Sequence, residues 1–334
     1  MIDIDLEKSS KILKNNFEYI TYSKNIFIPV TNFCRNNCKY CKFTKGDKFL
    51  TPPNKIKSFL ENVDSSKHSE ILFTFGERPY QRKRFNEKLK KYGYISFAEY
   101  IKDLCNYSID NGFLPHTNPG VVKESFISKI KPYNTSLGLM LETTADLKVH
   151  KNSPGKKPQK RLELLELLGK KKIPTTTGIL IGIGESKKDR VESLKKIRSL
   201  QKRYGHIQEV IIQPCQHKNQ NIKKSKLLDT IALARIILKN TNIQSPPNLV
   251  KNIPDLIKAG ASDLGGISEH TIDYINPNHS WPKISDIREE VRKNTGFELK
   301  KRLPIYPRYI KESWMADGVK DLIKDKADNE GFAK

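Results

Sequence analysis

Acidic residues are in short supply in this chain: 37 Asp and Glu face 61 Lys and Arg, leaving a formal charge of +24 over 334 residues. Cysteine (5), methionine (3) and tryptophan (2) are also sparse. No apolar run approaches the roughly 20 residues that a membrane-spanning helix needs; the longest candidate, Gly178 to Gly184, is short and broken by glycine. The opening stretch, MIDIDLEKSSKILKNN, lacks the apolar segment of a secretory signal. Five cysteines in a cytosolic chain argue against a disulfide framework. Internal repeats and low-complexity linkers are missing, while 37% hydrophobic and 9% aromatic residues are enough for a sizeable core and exclude wholesale disorder. The expectation is a soluble, cytoplasmic protein.

What is abundant is lysine. Of the 61 basic residues 48 are Lys and 13 are Arg, and Arg is the more usual reader of bases and fork for phosphates. The excess is also dispersed, with nine basic residues between Lys148 and Lys172 and eight between Ile183 and Arg203. Both stretches read partly as solvated helix faces, and no RNA-binding module pattern is present. Charge of this kind favours a lysine-rich surface over a nucleic-acid site.

Short β-branched or aromatic segments recur along the chain, at Ile26–Val30, Ile71–Phe75, Phe113–His116, Leu137–Leu141, Thr175–Ile181, Glu209–Gln213, Ala261–Leu264 and Phe297–Leu303. Helical periodicity fills the gaps, most clearly in Arg161–Lys170, where Leu162, Leu165 and Leu168 repeat. Strands alternating with helices predict βαβ units and a parallel sheet. Eight such units fit a closed α/β (β/α)8 TIM-type barrel better than an open doubly wound sheet, since no glycine-rich phosphate turn follows the first strand. The barrel is expected over residues 21–305, with an N-terminal extension over 1–20 and a C-terminal tail over 306–334 whose beginning, Leu303–Pro307, covers the barrel.

The cysteines are unevenly placed. Cys105 and Cys215 stand alone and read as buried thiols, whereas Cys34, Cys38 and Cys41 form a C-x3-C-x2-C run directly after the first strand. In a barrel that loop lies at the C-terminal mouth, where active sites are built. Soft thiolates suit zinc or an iron–sulfur cluster. A 4Fe-4S cluster held by three cysteines keeps one iron open to another ligand. A Cys3His zinc site is the alternative, but the nearest downstream histidine, His68, is far along the chain.

This loop resembles the signature of the radical S-adenosylmethionine (SAM) superfamily. The resemblance implies a radical SAM core with one 4Fe-4S cluster, whose open iron chelates SAM, and reductive cleavage to a 5'-deoxyadenosyl radical. It implies further that Tyr40 packs beside the adenine and that Gly76 and Glu77 contact the methionine amino group, although Phe75 departs from the usual Gly-Gly-Glu. By the same likeness Glu142 reaches the ribose, Arg161 pairs with the methionine carboxylate, and Gly178 and Gly182 lie in the glycine-rich strand against the adenine.

A closer resemblance runs over almost the whole chain. Leu72–Pro79 (LFTFGERP), Leu114–Gly120 (LPHTNPG), Gly138–Glu142 (GLMLE), Ser153–Lys156 (SPGK), Gly205–Gln213 (GHIQEVIIQ), Asp263–Ser268 (DLGGIS) and Tyr274–Pro277 (YINP) are similar to the radical subunit family of 7,8-didemethyl-8-hydroxy-5-deazariboflavin synthase. That implies a carbon–nitrogen lyase of deazaflavin coenzyme (F-420) biosynthesis. It would act on an adduct made by a second radical SAM subunit, and draw electrons from a donor such as ferredoxin or flavodoxin. A single cysteine triad in 334 residues is too little for both subunits, so the partner is separate. His116 and Asp263 are the catalytic candidates, with Asn118, Gln213 and Ser268 as further substrate contacts. The rival readings are the partner subunit or a menaquinone-pathway relative, and an RNA-modifying iron–sulfur protein. Replacing Cys34, Cys38 or Cys41 with Ala is expected to abolish the visible absorption of the reconstituted protein; wild-type absorption in any of the three refutes the ligand assignment.

Overall fold

The computed structural model describes residues 4–216 and 222–334. Nine strands run through it: β1 (Tyr19–Thr31), β2 (Glu70–Phe75), β3 (Leu114–Asn118), β4 (Ser136–Gly138), β5 (Thr175–Ile181), β6 (Ile207–Pro214), β7 (Asn242–Gln244), β8 (Asp263–Ile267) and β9 (Glu298–Arg302). The first eight pair in chain order, all parallel, and β1 closes the ring by pairing with both β8 and β2. The fold is a closed (β/α)8 barrel.

Period-2 alternation decides what faces inward. On β2, Glu70, Leu72 and Thr74 line the central cavity, while Ile71 and Phe73 are fully buried against the surrounding helices. On β6 the inward set is Glu209, Ile211 and Gln213. The main outer core packs these strands against helices that include α1 (Pro53–Glu61), α2 (Phe97–Asp110), α3 (Pro158–Lys170), α4 (Lys187–Tyr204) and α5 (Lys224–Ile237). Helix α4 opens on a capping box in which Ser186 and Asp189 satisfy each other's backbone N–H, and closes on Gly205 in the left-handed region.

Two strand expectations need correction. The barrel's seventh strand is β7, only three residues long (Asn-Ile-Gln), too short to show an alternating pattern. The expected last strand, Phe297–Leu303, is β9, which lies outside the ring. It can do so because β1 is 13 residues long. Its first half, Tyr19–Ser23, pairs with β9, and its second half, Asn25–Thr31, pairs with β2 along the same edge.

The chain after β9 seals one end of the barrel. Tyr306, Tyr309, Met315, Val319 and Ile323 pack with Leu114 and Leu303. Tyr309 donates to the Gly205 carbonyl (2.8 Å), and Arg308 donates to that of Ile207 (3.2 Å). These contacts lie at the N-terminal ends of β3 and β6, opposite the cysteine loop. The open mouth is therefore the cysteine end.

Arg235, on α5, holds the outer layer together. It is fully buried. Its guanidinium donates to the carbonyls of Gly260, Lys239 and Thr241 and to Ser262 Oγ, each at 2.9 Å, and lies 4.2 Å from the Phe17 ring. Removing it strands several buried acceptors, each worth about 1–3 kcal/mol. Arg235→Met is expected to lower stability by about 3 kcal/mol or more, measured by urea denaturation.

Candidate active site

The cysteine loop is closed at its base by one amide. Asn32 Nδ2 donates to the carbonyls of Lys45 (3.3 Å) and Asp47 (2.9 Å), and its Oδ1 accepts from the Phe49 N–H (2.9 Å). Phe33 anchors the next residue edge-on against Phe85. Gly76, at the end of β2, receives the loop so closely that a Cβ there would lie 2.1 Å from the Phe33 carbonyl oxygen. That contact explains the glycine without invoking a ligand.

Cys34 Sγ accepts the N–H groups of Asn36 (3.3 Å) and Glu77 (3.2 Å), donors that favour a thiolate. Cys34, Cys38 and Cys41 border a single cavity of about 310 Å³, shared with Tyr40, Glu142, Lys156 and Arg161. Among the described residues no three His, Cys, Asp or Glu side chains gather around the position of a single ion. The thiols are instead disposed around a cavity, which suits a cluster whose irons each take a separate thiolate.

Glu77 sits behind this cavity, 4% exposed. Its Oε1 accepts from Arg35 Nε (2.7 Å), and its Oε2 from the Val121 N–H (2.9 Å) and Arg161 Nη2 (3.5 Å). Burial alone would raise its pKa; Arg161, the Val121 N–H and Arg35 outweigh it and hold the carboxyl below its ordinary value. Gly155 passes so near that a Cβ would meet Glu77 Oε1 at 1.5 Å. The segment around Gly155 is tied to the loop as well: its N–H donates to Asn36 Oδ1 (2.8 Å), and the Asn37 N–H donates to Ser153 Oγ (3.2 Å).

Glu142 forms a second node. Its backbone is left-handed (φ +69°), a strained conformation that aims the side chain inward. Its carboxylate accepts from Tyr40 Oη and Lys156 Nζ, with Arg161 Nη1 at 3.8 Å. Tyr40 Oη also lies 2.9 Å from His150 Nε2. Burial pushes the Lys156 pKa down to about 8, and Arg161 adds to the effect. Arg161, near the start of α3, is 3% exposed rather than a solvated helix residue.

Below lies a second cavity of about 320 Å³ along the barrel axis. It shares Asn118, Glu142, Lys156, Arg161 and Gln213 with the first. The two are adjacent and share that wall. His116 lines the lower one, with Nδ1 2.6 Å from Ser136 Oγ and Nε2 3.2 Å from Asn118 Oδ1. The Ser136 hydroxyl donates to the Pro304 carbonyl (2.6 Å) and Asn118 Oδ1 only accepts, so both ring nitrogens of His116 face acceptors. Burial lowers the His116 pKa to about 4.

A profile of the radical SAM superfamily matches residues 28–197. The chain is 45% identical over 329 residues to the 7,8-didemethyl-8-hydroxy-5-deazariboflavin synthase of Methanococcoides burtonii, covering 95% of this chain and 98% of that one. To the synthase of Methanosarcina mazei it is 46% identical over 94% and 96% of the two chains. The chain belongs to the radical SAM superfamily and, within it, to the deazariboflavin synthase family. Membership implies a 4Fe-4S cluster and SAM. The fold is also that of the FeFe-hydrogenase maturase HydG from Carboxydothermus hydrogenoformans (TM-score 0.69, 16% identity, 96% and 75% of the chains). Methylornithine synthase shares it too (TM-score 0.62, 16% identity, 89% of each). No helix among the described residues is long and apolar enough to cross a membrane.

The structure thus brings Tyr40, Gly76, Glu77, Glu142 and Arg161 to the cysteine cavity. Gly178 and Gly182 border neither cavity. Gly178 is pressed against β6, where a Cβ would lie 2.3 Å from the Ile211 carbonyl oxygen, and the Gly182 N–H donates to Glu185 Oε2 (2.9 Å). Asp263 lies behind the cavity wall, held by Arg302, and Ser268 is bonded to Thr271. His150 and Arg35 were not singled out in the sequence, and Lys156 stood there only as the end of the SPGK segment, because their contacts to Tyr40, Glu77 and Glu142 depend on the fold. Glu77→Gln keeps the shape but leaves Arg35 and Arg161 without a full counter-charge. An expected loss of roughly 3 kcal/mol is checked by the urea midpoint, and an unchanged midpoint would show that Glu77 does not tie the loops together.

Proposed function

We propose that this chain is the ring-closing radical subunit of deazaflavin coenzyme biosynthesis. It would convert the 5-amino-5-(4-hydroxybenzyl)-6-(D-ribitylimino)-5,6-dihydrouracil adduct to 7,8-didemethyl-8-hydroxy-5-deazariboflavin with loss of ammonia. The observation that carries the reading is the adjacency of the two cavities: a thiol-lined chamber at the mouth shares a wall with a second chamber in the barrel axis, lined by Glu70, His116, Glu209 and several amides. A radical generated in the first chamber would have only a short distance to a substrate in the second.

In this reading Cys34, Cys38 and Cys41 hold three irons of one 4Fe-4S cluster. When bound, the cluster and SAM supply a 5'-deoxyadenosyl radical that abstracts hydrogen from the adduct. Arg161, Glu142 and Tyr40 offer the zwitterionic and ribose parts of SAM a set of charged and polar contacts, with Gly76 and Glu77 fixing the floor beneath the methionine end. Gly178 and Gly182 act from behind, by allowing β5 and the turn after it to pack. His116 is the group placed to take up a proton released as the ring closes, and Lys156 Nζ holds a proton where the chambers meet, within reach of a departing amine. Asp263 is a positioning residue. Residues 21–305 serve as the catalytic barrel, with 1–20 and 306–334 as structural covers.

The adduct is supplied by a separate second radical SAM subunit, and the electron by a small carrier such as ferredoxin or flavodoxin. Nothing in the site favours the partner subunit, a menaquinone-pathway enzyme or an RNA-modifying protein. Anaerobic reconstitution with iron, sulfide, SAM and a reductant is expected to give 5'-deoxyadenosine, and a fluorescent deazaflavin only when the adduct is added. Absence of 5'-deoxyadenosine overturns the radical mechanism; 5'-deoxyadenosine with a different product overturns the substrate assignment.

A further inference from the structure

The lower chamber ends on a layer of buried charge that the proposed reaction leaves unused. Arg302, the last residue of β9, turns inward from outside the ring. Its Nε donates to Asp263 Oδ2 (2.7 Å), its Nη2 to Asp263 Oδ1 (3.1 Å) and Glu209 Oε1 (3.2 Å), and its Nη1 to the Leu303 carbonyl (3.1 Å). The guanidinium also lies 4.4 Å from the centre of the Tyr306 ring. Every nitrogen of the guanidinium is engaged, so it cannot turn to an incoming anion without leaving Asp263.

Asp263 answers this cation at two points, and it also accepts from Thr21 Oγ1 and the Gly265 N–H, both at 2.5 Å. Glu209 keeps one contact to Arg302 and accepts from Thr176 Oγ1 (2.9 Å) through its other oxygen. Glu70 is bonded only to the Ser23 hydroxyl among the described contacts. Three carboxyls therefore share one guanidinium. Glu70 and Glu209 border the chamber, whereas Asp263 does not.

A buried site cannot carry two uncompensated negative charges. The groups facing Glu209 are Arg302, Asp263, Glu70 and Tyr306, with His116 across the chamber. Burial pushes Glu209 up to about 8 against the pull of Arg302, and Asp263 and Glu70 raise it further. Burial raises Glu70 as well. Tyr306 is held well above its usual range by burial, and His116 is neutral. Both glutamates are thus biased toward the protonated acid, a form that can donate as well as accept. Its neighbours on the wall, Asn25, Gln208 and Gln244, are neutral amides.

We propose that Glu70 and Glu209 form the specificity-determining end of the substrate chamber, gripping an uncharged polyhydroxyl chain and excluding the same chain when it ends in phosphate. Arg302 positions Glu209 and receives no anion. The inference rests on the deazaflavin reading above, and deepens it by assigning the ribityl end of the substrate to the β9 floor.

The test is calorimetric binding of 6-(D-ribitylamino)uracil and of its chain-terminal phosphate ester to the reconstituted, SAM-loaded protein. The uncharged compound is expected to bind at least tenfold more tightly at pH 7. Its affinity should fall several-fold between pH 7 and pH 9, as Glu209 loses its proton and becomes an acceptor only. Glu209→Gln should flatten that fall, and Glu70→Gln serves as the second variant should the first not fold. The wild-type comparison of the two compounds needs no variant at all. Equal or tighter binding of the phosphate ester overturns the assignment of the floor alone, as does a Glu209→Gln profile that still follows the wild type. If neither compound binds, the deazaflavin reading falls and the assignment falls with it.

Discussion

Glu77 carries a charge into a nearly dry region and is met there from three separate stretches of chain: Arg35 in the cysteine loop, the Val121 N–H after β3 and Arg161 at the start of α3. Desolvating a carboxylate costs several kcal/mol, and only closely fitted partners recover it. Each of those stretches is therefore held to the position that satisfies Glu77. Its own N–H is bonded to Cys34 Sγ, so the same residue sets where the first thiol stands. Gly155 completes the arrangement by offering no side chain where the carboxylate lies. The loop of three thiols is fixed at its base by Asn32, and further along by the bonds of Asn36 and Asn37 to the segment around Gly155.

The barrel axis runs between two charged layers of different character. At the mouth, Glu77 and Glu142 face Arg35, Lys156 and Arg161, and positive charge is in slight excess. At the far end, Glu70, Glu209 and Asp263 face Arg302 alone, and burial raises the pKa of both glutamates. A zwitterion with a carboxylate fits the first layer and an uncharged polar chain fits the second. Between them the wall is built from amides and one neutral histidine, which orient a ligand without adding charge. The proposed orientation of the substrate along the axis rests on this difference: its reverse would place the hydroxyl chain among the cations of the mouth.

Much of this was legible in the sequence wherever the signal was local. The C-x3-C-x2-C run sits within eight residues and follows a strand, so both its chemistry and its place at the mouth could be read directly. Tyr40 and Glu77 lie next to it or at the end of the following strand. Legibility failed where meaning depended on partners far along the chain. The three residues of β7 form a strand only because β6 and β8 flank them. Asp263 looks like a strand-end contact in the sequence, yet Arg302, 39 residues later, draws it behind the wall. Gly178 reads as an opening for a ligand and is in fact an opening for Ile211. Lys156 is one of 48 lysines in the sequence, and the SPGK segment that ends on it does not say that it is buried against Glu142.

That last case also explains why the net charge of +24 predicts so little about the site. Four of the 13 arginines, Arg161, Arg190, Arg235 and Arg302, expose less than a tenth of their surface, and none of the described lysines is so buried. A guanidinium has five donors in a rigid plane and can satisfy several carbonyls or carboxylates at once, as Arg235 and Arg302 do; an ammonium is more strongly hydrated and resists transfer from water. Interior cations are thus arginines fixed by geometry, and the lysines that dominate the total remain at the surface. Lys156 comes nearest to breaking the rule, with its side chain 14% exposed against Glu142. A lysine held in so dry a place needs an anion beside it, and the left-handed backbone at Glu142 is what brings that anion there. The strain is local to the point where the two chambers join, which is where a mobile proton has the most use.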